Sequence, residues 1–226
     1  MNKSLLRVAL GAALVTITFS AAANPLTYTL TAGPISTQSG ATTIDFGTLP
    51  WNNSVAVQNP MTSFSSGIAS FSGGELFNTT TTGISGVAAR PVGSTGNFWS
   101  IERGQTGTVN FSSGISYYGF LWGSPDVLPW NNVSFYSGTT LLDNFGRERF
   151  QPPLMNNNWA TTSYLNIFDN GGPAITKITF SANQNAFETD NHAYIAAVPE
   201  PESYAMLLAG LGLLGFMARR RKQKAA

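Results

Sequence analysis

Ile115-Ser116-Tyr117-Tyr118-Gly119-Phe120-Leu121-Trp122 is the stretch on which the fold turns. Read with a period of two, it puts Tyr118, Phe120 and Trp122 on one face and Tyr117, Gly119 and Leu121 on the other, as a strand does. Gly123-Ser124-Pro125-Asp126 carries turn chemistry. The next strand follows over Asn132–Tyr136, and Ser137-Gly138-Thr139 turns the chain into Thr140–Asp143. The reading is a run of antiparallel hairpins rich in aromatic side chains.

The same pattern extends outward on both sides. Leu26–Thr31, Thr108–Ser112 and Ala174–Phe180 alternate apolar and polar residues strictly, the mark of strands with one buried face. Further strands are expected at Thr43–Leu49, Ser54–Gln58, Ile68–Phe71, Glu75–Thr79, Phe98–Arg103, Tyr164–Phe168 and Tyr194–Val198. Gly, Asn, Ser and Pro clusters separate them every roughly 8 to 12 residues, the spacing of sandwiches and barrels. The predicted class is all-β, an antiparallel β-sandwich of jelly-roll-like form.

The two ends read differently from the middle. Lys3 and Arg7 precede an apolar run from Val8 to Phe19, and Ala21-Ala22-Ala23 offers a cleavage site before Asn24. Residues 1–23 are therefore expected to be a secretory signal peptide removed by signal peptidase. At the other end Val198-Pro199-Glu200-Pro201-Glu202-Ser203 precedes an uncharged run from Tyr204 to Ala218, and Arg219-Arg220-Arg221-Lys222-Gln223-Lys224 closes it. That run has 15 residues, short against the roughly 20 of a full span, although arginine stems can extend it. A single transmembrane helix is expected, with its basic end in the cytoplasm.

Between these ends lies an ectodomain of 175 residues, 24–198, with five basic and nine acidic residues and a net charge of −4. The whole-chain value of +1 comes from cations in the two ends. No basic footprint for nucleic acid is present in the ectodomain. The chain has no cysteine, so no disulfide framework supports it.

The order Pro199-Glu200-Pro201, apolar segment, Arg219-Arg220-Arg221 resembles the PEP-CTERM sorting signal of Gram-negative bacteria. The resemblance implies recognition of residues 199–226 by an exosortase-type membrane protease, transient anchoring in the inner membrane, and release to the cell surface or extracellular matrix. Tyr117–Asp126 with Phe135-Tyr136-Ser137-Gly138, and Phe187-Glu188-Thr189-Asp190-Asn191 near the tail, are similar to segments of exosortase-dependent surface proteins. That similarity implies a jelly-roll-like ectodomain working in exopolysaccharide or biofilm, and it brings no reaction with it.

Candidate chemistry is sparse. His192 is the single histidine, lacks a nucleophile elbow, and reads as an exposed strand-end residue. Acidic residues that could serve a glycoside hydrolase are scattered; Glu102 beside Arg103, and Glu148 between Arg147 and Arg149, read as surface ion pairs. Asp45, Glu188, Asp190 and Asn191 offer oxygen donors of the kind calcium takes, if first and last strands are neighbours. Trp51 and Trp130 each follow a proline and precede two asparagines, and Trp159 follows three. Such indoles could stack on sugars while the amides bond hydroxyls, as in a carbohydrate-binding module, or could pack beneath their own loops. An ice-binding surface would need a regular Thr-x-Thr array, which the chain lacks. The sequence thus favours a non-enzymatic exported protein, with glycan binding as the alternative.

Overall fold

The computed structural model describes residues 26–48, 58–61, 63–78, 83–84, 86–126, 129–150, 163–198 and 201–224. The expected signal peptide, with Ala21, Ala23 and Asn24, lies outside them, as do Trp51, Trp159, Pro199 and Glu200. The strands in chain order are β1 (Thr27–Thr31), β2 (Thr42–Ile44), β3 (Gln58–Pro60), β4 (Phe64–Ser66), β5 (Ala69–Ser72), β6 (Glu75–Asn78), β7 (Gly83–Ile84), β8 (Ala88–Ala89), β9 (Asn97–Ile101), β10 (Thr106–Gly123), β11 (Asn131–Ser137), β12 (Thr140–Phe145), β13 (Ser163–Phe168), β14 (Ile175–Ala182) and β15 (Phe187–Ala196). One helix, α1 (Pro201–Lys224), follows them. The all-β, antiparallel class expected from the sequence is the class observed, and it is compatible with a jelly-roll-like ectodomain.

The stretch 115–122 is half of a longer element. Thr108–Ser112 and Ile115–Trp122, expected as two strands, are one continuous strand of 18 residues. Its first half pairs with β14 on one side and β5 on the other. Its second half pairs with β13 and β15. One layer is therefore β12-β11-β14-β10-β5-β4, and the other is β1-β13-β10-β15-β9-β6-β3, with β2 on the far end of β15. All the pairings are antiparallel.

A register shift between Ile115 and Tyr117 lets one strand serve both layers. Before the shift Val109, Phe111 and Ile115 enter the core; after it Tyr118, Phe120 and Trp122 do. An irregularity of one residue moves every later side chain to the opposite face, so the inward set changes from odd to even numbers. Both halves thereby stay apolar toward the same interior. The layers meet there through aromatic edges. Phe120 contacts Phe180 at 5.2 Å between ring centroids and 85° between planes, and Tyr28 meets Phe145 at 4.8 Å and 79°. Edge-to-face geometry of this kind is favoured by the ring quadrupole.

Close packing explains some glycines in the middle of strands. A Cβ on Gly107 would lie 2.4 Å from Trp99 Cζ2 and 2.9 Å from Ile101 Cγ1, both fully buried. Gly107→Ala is therefore expected to destabilise the fold by about 1–3 kcal/mol through overpacking. Urea denaturation of the two chains measures it; an unchanged midpoint would mean that the indole has room to move.

Several sequence expectations are corrected in detail. Thr43–Leu49 is not a strand throughout: Asp45 Oδ1 accepts the Gly47 N–H at 2.7 Å, and the chain turns into a short 3-10 helix at Phe46–Thr48. Ser54–Gln58 lies outside the described residues except for Gln58. The last strand begins at Phe187, well before Tyr194. Glu102 is buried and accepts the Ser100 hydroxyl at 2.7 Å, so the expected surface pair with Arg103 does not form. Arg149 bonds Asp143 at 2.8 Å, while Glu148 Oε1 accepts the Gly146 N–H.

Candidate functional site

Three places could carry function: the interior around His192, the outer face of β15, and the open end of the sandwich at Trp130. Strand β15 settles the first two. Its register against β10 advances by three residues, Asp190 to Ala193, where β10 advances by two, Leu121 to Gly119. Asn191 absorbs the extra residue with φ of 48°, a left-handed conformation that asparagine tolerates. Phe187 and Thr189 face inward before this bulge, and His192 and Tyr194 after it.

His192 is consequently fully buried, which corrects the expectation of an exposed strand end. The aromatic rings of Phe46, Phe71, Trp99, Tyr118, Phe120 and Phe180 all lie within 6.0 Å of its ring, centroid to centroid. Its Nδ1 is 2.5 Å from the Tyr118 hydroxyl, and Nε2 is 3.0 Å from Thr189 Oγ1. Burial without a carboxylate partner holds its pKa down at about 3. It is a neutral packing residue whose two polar atoms are both satisfied.

The outer face of β15 carries Glu188 and Asp190, which are 2% and 0% exposed. Ala89 N–H and the Ser124 hydroxyl donate to Glu188 at 2.8 and 2.6 Å. The Ser94 hydroxyl and Asn191 N–H donate to Asp190 at 2.5 and 2.8 Å. Segment 88–94 thus folds over the strand and seals both carboxyls. Desolvation pushes Glu188 up to about 8, against the lowering effect of its hydrogen bonds. It pushes Asp190 up to about 7; Ser94 and Asn191 oppose this, the negative charge of Asp45 adds to it, and Arg90 opposes it. A carboxyl held near neutrality by burial is the expected outcome when few charges compensate it.

The four donors considered for calcium do lie on neighbouring strands, since β2 pairs with β15 and ends beside Asp45. They turn to different partners, however. Both Glu188 oxygens and both Asp190 oxygens accept protein hydrogens, the Asn191 amide donates to Pro34 O at 2.9 Å, and Asp45 is exposed. Among the described residues no group of three or more His, Cys, Asp or Glu side chains could hold a metal ion.

The tryptophans divide by environment. Trp99 and Trp122 are core residues, Trp99 donating from Nε1 to Gly73 O at 2.8 Å. Trp130 is 48% exposed at the open end of the sandwich. It lines a cavity of about 380 Å³ with Arg103, Gly104, Pro129, Asn183 and Gln184. A second cavity of about 280 Å³ shares Gly104, Pro129 and Asn183 with it and adds Gln105 and Asn132. Three loops build this groove, those joining β9 to β10, β10 to β11 and β14 to β15, and hydrogen bonds tie them together. Asn183 N–H donates to Trp130 O at 3.0 Å, Gly104 N–H to Ala182 O at 2.7 Å, and Arg103 N–H to Asn185 Oδ1 at 2.9 Å. Trp130 was legible as a candidate from its Pro-Trp-Asn-Asn setting. Arg103, Asn183 and Gln184 were not, although two polar turns, Arg103-Gly104-Gln105 and Asn183-Gln184-Asn185, were visible signals.

Beyond β15 the chain leaves the sandwich with Val198 82% exposed and enters α1. Met206, Leu207, Leu208, Leu211, Leu213, Leu214 and Phe216 are each more than half exposed on this helix. Consecutive positions such as 206–208 point in different directions, so the apolar surface encircles the helix rather than forming a stripe. Among the described residues no helix is long and apolar enough to cross a membrane. This departs from the full span expected above: a run of 15 residues rises about 22 Å, less than the roughly 30 Å of a hydrocarbon core. Arg219, Arg220 and Arg221 continue the same helix.

No curated protein and no solved structure matches the chain significantly. The family described as the PEP-CTERM protein-sorting motif matches residues 197–222. The match covers Val198, Pro199, Glu200, Pro201 and the three arginines, together with the apolar helix. It supports an exported protein that an exosortase processes and that is sorted to the cell surface. The C-terminal segment of this chain is therefore a PEP-CTERM sorting motif, attached to an antiparallel β-rich ectodomain.

Proposed function

We propose that the protein is a non-enzymatic component of the cell surface or extracellular matrix that associates with exopolysaccharide. The observation that carries this reading is the sorting motif at 197–222, which directs the sandwich to the outside of the cell. Residues 1–23 start export, and signal peptidase cuts before Asn24. Helix α1 then rests in the inner membrane, short for a full span and extended by its arginine stems, until the exosortase-type protease cuts near Pro199-Glu200-Pro201. Two features favour a binding role over catalysis. His192 is enclosed by aromatic rings, and Glu188 and Asp190 are sealed under segment 88–94, so none of the three can reach a substrate from its observed position. The second reading is a carbohydrate-binding module with a defined ligand, favoured by the half-exposed Trp130 among amides.

Intact mass and fractionation of the protein from its native host test the sorting route. The expected form begins near Asn24, ends near Pro199 and lies outside the inner membrane. A full C-terminus retained in the inner membrane would overturn the route and leave α1 as a permanent anchor.

A further inference from the structure

We infer that the groove at Trp130 binds a polysaccharide segment that contains a carboxylated sugar, with Trp130 as the stacking platform and Arg103 as the carboxylate contact. The inference rests on the exopolysaccharide reading above and assigns the site and the ligand class within it. Trp130 makes no contact with another aromatic ring among the described residues, and it is about half exposed in a chain that buries Trp99 and Trp122. A half-exposed indole beside amides suits the apolar face of a pyranose ring. Asn183 and Gln184 line the same cavity and supply both donors and acceptors for ring hydroxyls. Asn132 adds a further amide to the lining of the adjoining cavity.

The charge of the groove decides the class of sugar. Among the described residues Arg103 is the only ionised side chain lining either cavity, and its guanidinium makes no ion pair or hydrogen bond with them. Guanidinium groups bind carboxylates through paired N–H donors. The ectodomain is acidic as a whole, but at physiological salt charges more than about 8 Å apart are largely screened, so the local cation governs. Glu102, next in sequence, does not cancel it: that carboxyl is buried, its pKa is raised by desolvation, and it turns to Ser100. The backbone ties between Trp130 and Asn183, Gly104 and Ala182, and Arg103 and Asn185 hold the walls in place before a ligand arrives, which lowers the ordering cost of binding.

The test uses the full chain in detergent micelles, titrated with oligogalacturonate and with cellohexaose and followed by calorimetry and tryptophan fluorescence. Oligogalacturonate is expected to bind at least tenfold more tightly than cellohexaose, and more weakly as salt rises. Trp130→Ala should reduce both affinities at least tenfold without changing the circular dichroism spectrum, since the indole is exposed. Arg103→Gln should remove the preference for the acidic probe, lowering oligogalacturonate affinity at least tenfold and cellohexaose affinity by a smaller factor. Equal binding of both probes, lost in Trp130→Ala and indifferent to Arg103→Gln, would overturn the acidic class while keeping the glycan reading. Binding that survives Trp130→Ala would overturn the site. Failure of the wild-type chain to bind either probe would overturn the site and leave the sorting route standing on its own test.

Discussion

The thermal stability of the chain is expected to fall as the pH is raised from about 5 to about 9, and Glu188→Gln should remove much of that fall. The carboxyl of Glu188 titrates at about 8 in the folded protein against 4.5 for an ordinary glutamate, and that of Asp190 at about 7 against 3.8. Between the lower and upper values the folded chain holds protons that the unfolded chain has released. Stability therefore declines with rising pH across that window and is fully present below it. The desolvation of Glu102, Asp126 and Asp169 acts in the same direction. His192 acts oppositely. Its folded pKa of about 3 lies below the ordinary 6.5, so stability grows with pH between these values. From about 4.5 to 6.5 the two acids outweigh the one histidine, and above 6.5 the acids act alone.

The size of the effect follows from about 1.4 kcal/mol per pKa unit, which gives Glu188 on the order of 4 kcal/mol between pH 5 and 9. For a chain of this length that is roughly a 10 °C change in Tm. Glutamine has the shape of the protonated acid and cannot ionise. The variant should match the wild type near pH 5, exceed it at pH 9, and show a flatter profile between. Differential scanning calorimetry of the full chain at several pH values checks this. A wild-type Tm that rises from pH 6 to 9 would mean that segment 88–94 does not exclude water from the carboxyl.

Trp99→Ala should destabilise the fold by about 3–5 kcal/mol, the range for truncating a fully buried large aromatic residue. Trp99 has no exposed surface, and its ring lies 5.4 Å from Phe71, 5.5 Å from Phe180 and 5.9 Å from His192. Truncation removes the contacts between layers and also orphans Gly73 O, the acceptor of its Nε1–H. A loss of this size is a large part of the roughly 5–15 kcal/mol that holds a typical domain together. Trp130→Ala is the contrast, expected within about 1 kcal/mol because that indole is half in water. Urea midpoints of the two variants separate the core tryptophan from the surface one. Equal losses would mean that Trp130 packs beneath its loop in solution.

The pairing of these two tryptophans shows what a sequence can and cannot display. Local alternation was enough to place β1, β14 and both halves of β10, because a half-buried strand repeats every two residues. Alternation could not show that Thr108–Ser112 and Ile115–Trp122 are one strand, since the register shift between them changes the phase of the pattern. The same device hid the start of β15. Glu188-Thr189-Asp190-Asn191-His192 has the composition of a turn, and only the cover of residues 88–94 and the surrounding aromatic rings make it a buried strand. His192 looked exposed for that reason. The groove at Trp130 was half legible: the indole stood out by its neighbours, but the arginine and amides that line it come from loops far apart in the chain, and topology alone brings them together.

The position of β15 also has a mechanical consequence. This strand lies in the interior of its layer, with β10 along one side and β9 and β2 along the other, and the chain passes from its end into the sorting segment. A pull applied through the tail would run along the strand axis. It would load the flanking hydrogen bonds together, in shear, instead of peeling them away one after another as on an edge strand. Attached by this end, the sandwich would resist drag with its longest ladder of pairings, the arrangement suited to a molecule held at a surface in moving fluid.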